Sequence, residues 1–193
     1  KKDAQLMLID VIVRLEKFKE ADPLVQNLLD SFEMDNFDTR VALFYRGVIL
    51  YGQKQMPEAE VVLSDAYRKF DRDELQFDYY GVGILYYLAM IKAWNFEQFK
   101  VRVPKNTKEI SRGIDDFSEK LGRFQSAHIA FLKTIRVGNV YWALAAGFQL
   151  GNTLEAFFKQ ITQMPKPQGL DSESTEIYGE ELKKAITPIR AKA

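Results

Sequence analysis

The chain has 193 residues, of which 47% are hydrophobic and 13% aromatic, and this composition excludes an intrinsically disordered protein. Its 27 basic and 27 acidic residues cancel, so no global charge directs it to nucleic acid or to an anionic membrane. Cysteine is absent, which excludes a disulfide framework, a thiolate metal site and a catalytic thiol.

Apolar residues recur at helical spacing along the whole chain, and no segment alternates as a β-strand does. The Asp22-Pro23 pair marks the start of the second helix, because proline is tolerated in a first helical turn. No apolar run reaches the ~20 residues that span a bilayer. The predicted helices cover residues 4–18, 23–32, 39–53, 56–70, 73–93, 110–137, 140–163 and 172–193.

The first half of the chain repeats itself. The string LLDSF at residues 28–32 returns as LSDAY at 63–67, an offset of 35 residues. The string RGVILYG at 46–52 returns in looser form as GVGILYY at 81–87. A period of this size predicts helical hairpins stacked as a solenoid.

The repeat pattern of the first half ends at about residue 95, and longer helices follow. A loop at 100–109 contains Pro104 and ends in a capping box formed by Asn106 and Glu109. The helix after it has an apolar seam that a long antiparallel helix would bury. Residues 100–136 carry 9 basic and 4 acidic residues, an excess that more often marks solvated helix faces than a binding patch. We therefore expect one all-α domain over residues 1–193, with repeat hairpins in 1–95 and longer helices in 100–193 packed onto them.

The hairpin at 40–71 has large residues at Leu43 and Leu63 and small residues at Gly47, Ala59 and Ala66. With this pattern it resembles a tetratricopeptide repeat. In that motif small residues let two helices cross closely while large residues flank the contact. The preceding unit is degenerate, and Asp71 stands where the motif has its closing proline.

The C-terminal part is similar to a narrower group. The string YWALAAGFQLGNTLEAFF at 141–158, followed by MPKPQGL, is similar to a tail of envelope-associated tetratricopeptide proteins of predatory and gliding bacteria, including gliding-motility components. The sequence departs from that tail where paired acids usually open the last helix, because it reads DSESTE there. The resemblance implies a non-enzymatic scaffold in an envelope complex, periplasmic or envelope-associated, with the cytoplasm as the open alternative.

The family resemblance also implies a groove for a partner protein or peptide. In tetratricopeptide proteins the first helix of each hairpin lines this groove. The groove is apolar and aromatic, and a surface of this kind is larger than a monomer normally leaves exposed. We therefore expect it to be covered, either by an external peptide or helix or by the chain's own later helices. The implied groove residues are Val41, Phe44, Val48, Tyr51, Phe77, Tyr80, Ile84 and Tyr87, with Leu6, Ile9 and Val13 from the first unit.

No residue pattern indicates catalysis, a metal or a cofactor. His128 is the only histidine and has no companion at ligand spacing, which favours a core histidine. Asp115 and Asp116 are adjacent and so face different sides of a helix. We therefore predict a non-enzymatic scaffold that binds another protein or peptide and no nucleic acid. The alternatives are a small-ligand or lipid binder that uses the aromatic groove, and an α-helical enzyme assembled from scattered acids and tyrosines.

Overall fold

A computed structural model describes residues 2–31, 34–69, 78–164 and 169–190. Within these ranges the chain forms eight α-helices, one 3-10 turn at Thr107–Glu109 and no β-strand, so the all-α prediction is confirmed. The helices are α1 (Lys2–Arg14), α2 (Phe18–Ser31), α3 (Asn36–Gly52), α4 (Met56–Arg68), α5 (Tyr79–Gln98), α6 (Ile110–Val137), α7 (Val140–Thr162) and α8 (Ser172–Arg190).

The chain divides into two compact units. The first unit contains Lys1–Ile91 and His128–Leu150, and the second contains Lys92–Ala127 and Gly151–Ala193. The divisions fall inside α5, α6 and α7, whereas the sequence placed the change of architecture between residues 95 and 100. The single domain over 1–193, with α8 packed onto the hairpins, stays a prediction.

In the first unit α3 and α4 cross at Gly47. A Cβ added to Gly47 would lie 2.4 Å from Leu63 Cγ, so only glycine lets the two helices approach this closely. Leu63 is fully buried, as are Ala59 and Ala66 on the same helix. This small-against-large packing is the contact that the residues of the 40–71 hairpin predict.

The structure corrects the start of α2. This helix begins at Phe18 and contains Pro23 in its interior, so the start predicted at Asp22-Pro23 is wrong. Glu16, with a φ of 57°, ends the preceding turn, and the Lys17 carbonyl then accepts the first helical hydrogen bond, from the Ala21 N–H. Phe18 packs over Gly52 of α3, where an added Cβ would lie 2.3 Å from the Phe18 ring. This contact with α3 extends the helix ahead of the proline.

The core of the second unit is aromatic. Phe96, Phe124 and Phe157 are buried together, and partly buried Leu121 and Leu154 pack against them. The rings of Phe124 and Phe157 stack with their centroids 4.2 Å apart. Helices α5, α6 and α7 each contribute one phenylalanine to this cluster, which therefore joins the three helices within the unit.

Two basic residues of α6 close the C-terminal end of α5. Lys120 is buried, and its Nζ donates to the carbonyls of Phe96 and Phe99 at 3.3 and 2.6 Å. Arg123 donates to the Asn95 carbonyl at 3.4 Å. Burial lowers the pKa of Lys120. Cations at this position satisfy carbonyls that a helix end leaves without partners, so these two basic residues are structural and not merely solvated.

The predicted capping box before α6 forms only in part. The Asn106 side chain makes no capping hydrogen bond. The Glu109 carboxylate instead accepts from the Lys105 N–H at 3.0 Å and from Asn106 Nδ2 at 3.1 Å. Asp171, the residue before α8, caps that helix, because its carboxylate accepts from the Ser174 N–H at 2.7 Å.

Asp116 gives the fold a pH dependence that can be measured. Its carboxylate accepts hydrogen bonds from the side chain and the backbone N–H of Arg102, which hold the pKa of Asp116 below its ordinary value of 3.8. A carboxyl with a lowered folded pKa stabilises the fold above its unfolded pKa, and this stabilisation is lost as the pH falls through the folded pKa. We expect Asp116→Asn to lower the urea midpoint at about pH 7, and the difference from the parent to shrink below about pH 4.

The matched control for this measurement is Asp115→Asn, because Asp115 is the exposed neighbour on the same helix. We expect this variant to change the midpoint little at any pH. A difference between Asp116→Asn and the parent that stays constant down to strong acid would show that the Arg102–Asp116 pair is not the cause.

Candidate functional site

Two cavities lie side by side on the face that α1, α3 and α5 form in the first unit. The first has a volume of about 510 Å³ and the second about 320 Å³. Asp10 and Tyr45 line both, and we call the two cavities together the α1 groove. The first is lined by Asp3, Leu6, Met7, Asp10, Val11, Phe37, Asp38, Val41, Tyr45 and Tyr80. The second is lined by Asp10, Val13, Arg14, Glu16, Phe18, Phe44, Tyr45, Val48, Tyr79, Tyr87 and Tyr141.

A hydrogen-bonded group divides the α1 groove. The Tyr45 hydroxyl donates to Asp10 Oδ1 at 2.9 Å, and Arg14 Nε lies 3.0 and 2.9 Å from the two oxygens of the same carboxylate. Burial raises the pKa of Tyr45, and the bond to Asp10 raises it further, so the phenol keeps its proton and acts as a donor. Burial also raises the pKa of Tyr79, to about 12. The wall between the cavities is therefore a fixed polar contact of α1 with α3.

Exposed apolar side chains line the α1 groove. Met7 and Val11 of α1 are 71% and 53% exposed, and Phe37 of α3 is 48% exposed. Tyr141 lines the second cavity and is 57% exposed. Large apolar side chains grouped around a concavity indicate a binding surface more strongly than the same residues scattered singly.

The structure brings most of the predicted groove residues to this face. Val41 and Tyr80 line the first cavity, and Phe44, Val48 and Tyr87 line the second. Of the residues implied in the first unit, Leu6 and Val13 line the cavities and Ile9 is fully buried.

Three further predicted residues have other positions. Ile84 is fully buried in the core, so it offers no surface to a partner in this conformation. Tyr51 lines neither cavity, and its ring centroid lies 5.4 Å from that of Tyr87. Phe77 falls outside the described residues.

Val41, Phe44 and Val48 line the cavities but are themselves almost completely buried, so they form the floor of the α1 groove rather than its rim.

Trp142 of α7 covers another part of the predicted face. Its ring is buried, with the centroid 6.3 Å from that of Phe44 and 6.0 Å from that of Tyr87. Its Nε1 donates to the Tyr79 carbonyl at 2.7 Å. The sequence left open whether an external partner or the chain's own later helices cover the predicted groove. At Phe44 and Tyr87 the cover is α7, a later helix of the chain itself. The side of the predicted groove that faces α1 is not covered and forms the α1 groove.

Sequence reasoning missed the polar centre of the site. Asp10 and Arg14 are four residues apart on α1, a spacing that predicts an ion pair but not its position at a cavity wall. Tyr45 follows the predicted Phe44 directly, yet helical geometry turns it toward α1. Only the contact between residues 35 positions apart in the sequence identifies Tyr45 and Asp10 as one site.

Neither metal chemistry nor a membrane span is indicated where the chain is described. In those ranges no group of three or more His, Asp or Glu residues is placed to hold a metal ion. In the same ranges no helix is long and apolar enough to cross a bilayer. His128 lies half-buried on α6.

Comparisons with protein-family models, with curated proteins and with solved structures found no match to this chain.

Proposed function

We propose that this chain is a non-enzymatic interaction module of tetratricopeptide type, which receives an amphipathic helix of a partner protein in the α1 groove. The observation that carries the proposal is the pairing of exposed Met7, Val11 and Phe37 with a preformed cavity beside them. Apolar anchors spaced along an incoming helix fill such cavities in helix-in-groove recognition. The cavities are lined mainly by α1, α3 and α5, and in a tetratricopeptide protein these would be the first helices of successive hairpins.

The helix order supports the tetratricopeptide type. Each of α1 to α3 packs on the next helix, and α1 also packs on α3. Tyr80 of α5 in turn contacts Phe44 and Tyr45 of α3, with ring centroids 5.5 and 5.9 Å apart. The helices that begin successive hairpins are thus neighbours, which is the arrangement of a helical-hairpin solenoid.

Charge favours a partner helix with basic residues beside its apolar face. Asp10 is paired with Arg14, and Asp38 with Lys2. Asp3 and Glu16 add carboxylates to the first and second cavities. Like charges at an interface exclude wrong partners, so an acidic helix is disfavoured here.

The proposal predicts where the partner crosslinks. A photoreactive amino acid at Met7 should give a discrete adduct in native cells, because this position lines the α1 groove. The same amino acid at Val61 of α4, which is 62% exposed and lines neither cavity, should give none. Adding Val11→Glu should abolish the Met7 adduct, since a carboxylate cannot be buried without a partner. Adducts of equal yield at Met7 and Val61, or none at either, would contradict the proposal.

The place of this module in a bacterial envelope complex is a proposal that rests on the C-terminal resemblance alone. Fractionation of native cells into cytoplasm, periplasm and membranes tests it directly. Recovery of the chain with the cytoplasmic marker would remove the envelope part of the proposal and leave the interaction module in place.

A small-ligand or lipid binder is the second candidate, and the cavity volumes favour it. Both cavities fall in the range of about 300–1,000 Å³ that small-molecule sites occupy. Native mass spectrometry of the purified chain distinguishes the two candidates. A bound molecule that the Val11→Glu variant loses would support the ligand binder, and an unliganded parent would favour the interaction module.

A further inference from the structure

A third cavity lies in the second unit, where the loop after α5 meets the first turn of α6. Its volume is about 410 Å³. Arg102, Lys105 and Arg112 bring three cationic side chains to it, and Glu109 brings one carboxylate. Val103, Pro104 and Gly113 supply the apolar part of its wall. It shares no residue with the α1 groove, so it stands independently of the function proposed above.

The loop that carries this cavity is fixed by its own contacts. Arg102 donates to the buried Asp116 from its backbone N, Nε and a terminal guanidinium nitrogen, at 3.1, 2.6 and 2.7 Å. Pro104 is buried against Gly113, where an added Cβ would lie 2.7 Å from Pro104 Cγ. The loop is thus held at Arg102 by Asp116 and at Pro104 by Gly113. The cavity on this loop is therefore preorganised, so the loop loses little conformational entropy when a ligand binds.

The acids at the cavity are hydrogen-bonded within the loop, but Glu109 lines the cavity and has only neutral N–H donors. Asp116 is taken up by Arg102, and Glu109 by the Lys105 N–H and Asn106 Nδ2. Over the described part of the chain neither Lys105 nor Arg112 makes an ion pair within 4.0 Å, although both lie close enough to Glu109 to help the Lys105 N–H lower the pKa of its carboxyl. Between Lys100 and Arg112 the sequence holds basic residues at 100, 102, 105, 108 and 112 against the single acid at 109. The cavity is therefore left with a net positive charge.

We propose that this cavity binds a phosphate monoester, with Arg112 and Lys105 on the phosphate oxygens and the Val103–Pro104 side against the organic part. Guanidinium groups bind phosphate oxygens in a bidentate way, and lysine adds a flexible point charge. A phosphate dianion gains more than a carboxylate from these two cations, because the nearby Glu109 carboxylate offsets only one of their two charges. The apolar wall favours an esterified phosphate over the bare ion.

Calorimetry and NMR on the whole chain test the proposal with phenyl phosphate as the probe, in a phosphate-free buffer of low ionic strength. We expect saturable binding, with amide shifts concentrated at Val103 and Gly113. Lys105→Gln and Arg112→Gln should each weaken binding about tenfold, since each removes one charged partner of the phosphate. Lys159→Gln, an exposed lysine of α7 outside the cavity, is the matched control and should leave the affinity unchanged. Circular dichroism confirms that the variants are folded.

Two arms separate the possible sources of the phosphate group. Glycerol 3-phosphate represents a soluble ester, and vesicles that contain phosphatidic acid represent a lipid headgroup. Binding of either that Arg112→Gln weakens supports the site and assigns the source. The proposal is overturned if no probe binds saturably, or if Lys159→Gln weakens binding as much as Arg112→Gln does.

Discussion

Replacing Trp142 with alanine is expected to lower the free energy of unfolding by about 3–5 kcal/mol, the largest effect of any substitution considered for this chain. The indole ring is buried among Phe44, Tyr79, Tyr86 and Tyr87, with centroid distances between 5.0 and 6.3 Å. Truncation removes these contacts, leaves a cavity in the first unit and deprives the Tyr79 carbonyl of its donor. Urea unfolding followed by circular dichroism measures the loss.

Two further variants identify the cause. Phe148→Ala removes an aromatic ring from the same helix at a site that is 68% exposed, and should change stability by no more than about 0.5 kcal/mol. Trp142→Phe keeps much of the apolar contact but loses the bond from Nε1, and should fall between the parent and Trp142→Ala. If Trp142→Ala unfolds at the same urea concentration as Phe148→Ala, the covering of Phe44 and Tyr87 by α7 is wrong.

Gly47→Leu is expected to destabilise the first unit by about 1–3 kcal/mol or more, because it overpacks the crossing of α3 and α4. Even the Cβ of an alanine would lie 2.4 Å from two atoms of Leu63, which is fully buried. Gly47→Ala should therefore also destabilise, by less than the leucine variant. Thermal melting and urea unfolding of the two variants give the size of the clash.

Gly147→Ala provides the matched control, since it makes the same change within another helix. A Cβ at Gly147 meets nothing within 4 Å, so alanine there should stabilise the protein by about 0.5–1 kcal/mol through its better helix propensity. Opposite signs at the two glycines would support the α3–α4 crossing. Stabilisation by alanine at both positions would refute it.

Local patterns predicted the helices better where a turn signal agreed with packing than where the two conflicted. Gly138, with a φ of 88°, separates α6 from α7 as the sequence predicts, because a positive φ suits glycine. Asp22-Pro23 carries an equally clear start signal, but the contact of Phe18 with Gly52 extends α2 past it. A local signal cannot report a contact with a residue on another helix.

Residue spacing along the chain was enough to predict the helical class, the positions of most helices and the small-against-large contact at Gly47 and Leu63. These depend on residue spacing within one hairpin, so a local pattern contains them. The tertiary structure alone decided that Tyr45 meets Asp10, 35 residues earlier, and that Trp142 covers Tyr79, 63 residues earlier. It also decided which of the predicted groove residues form the floor of the α1 groove and which are covered by other helices. Burial depends on how the helices assemble. Helical periodicity predicts the face of the helix on which a residue lies, but it does not predict which other element covers that face.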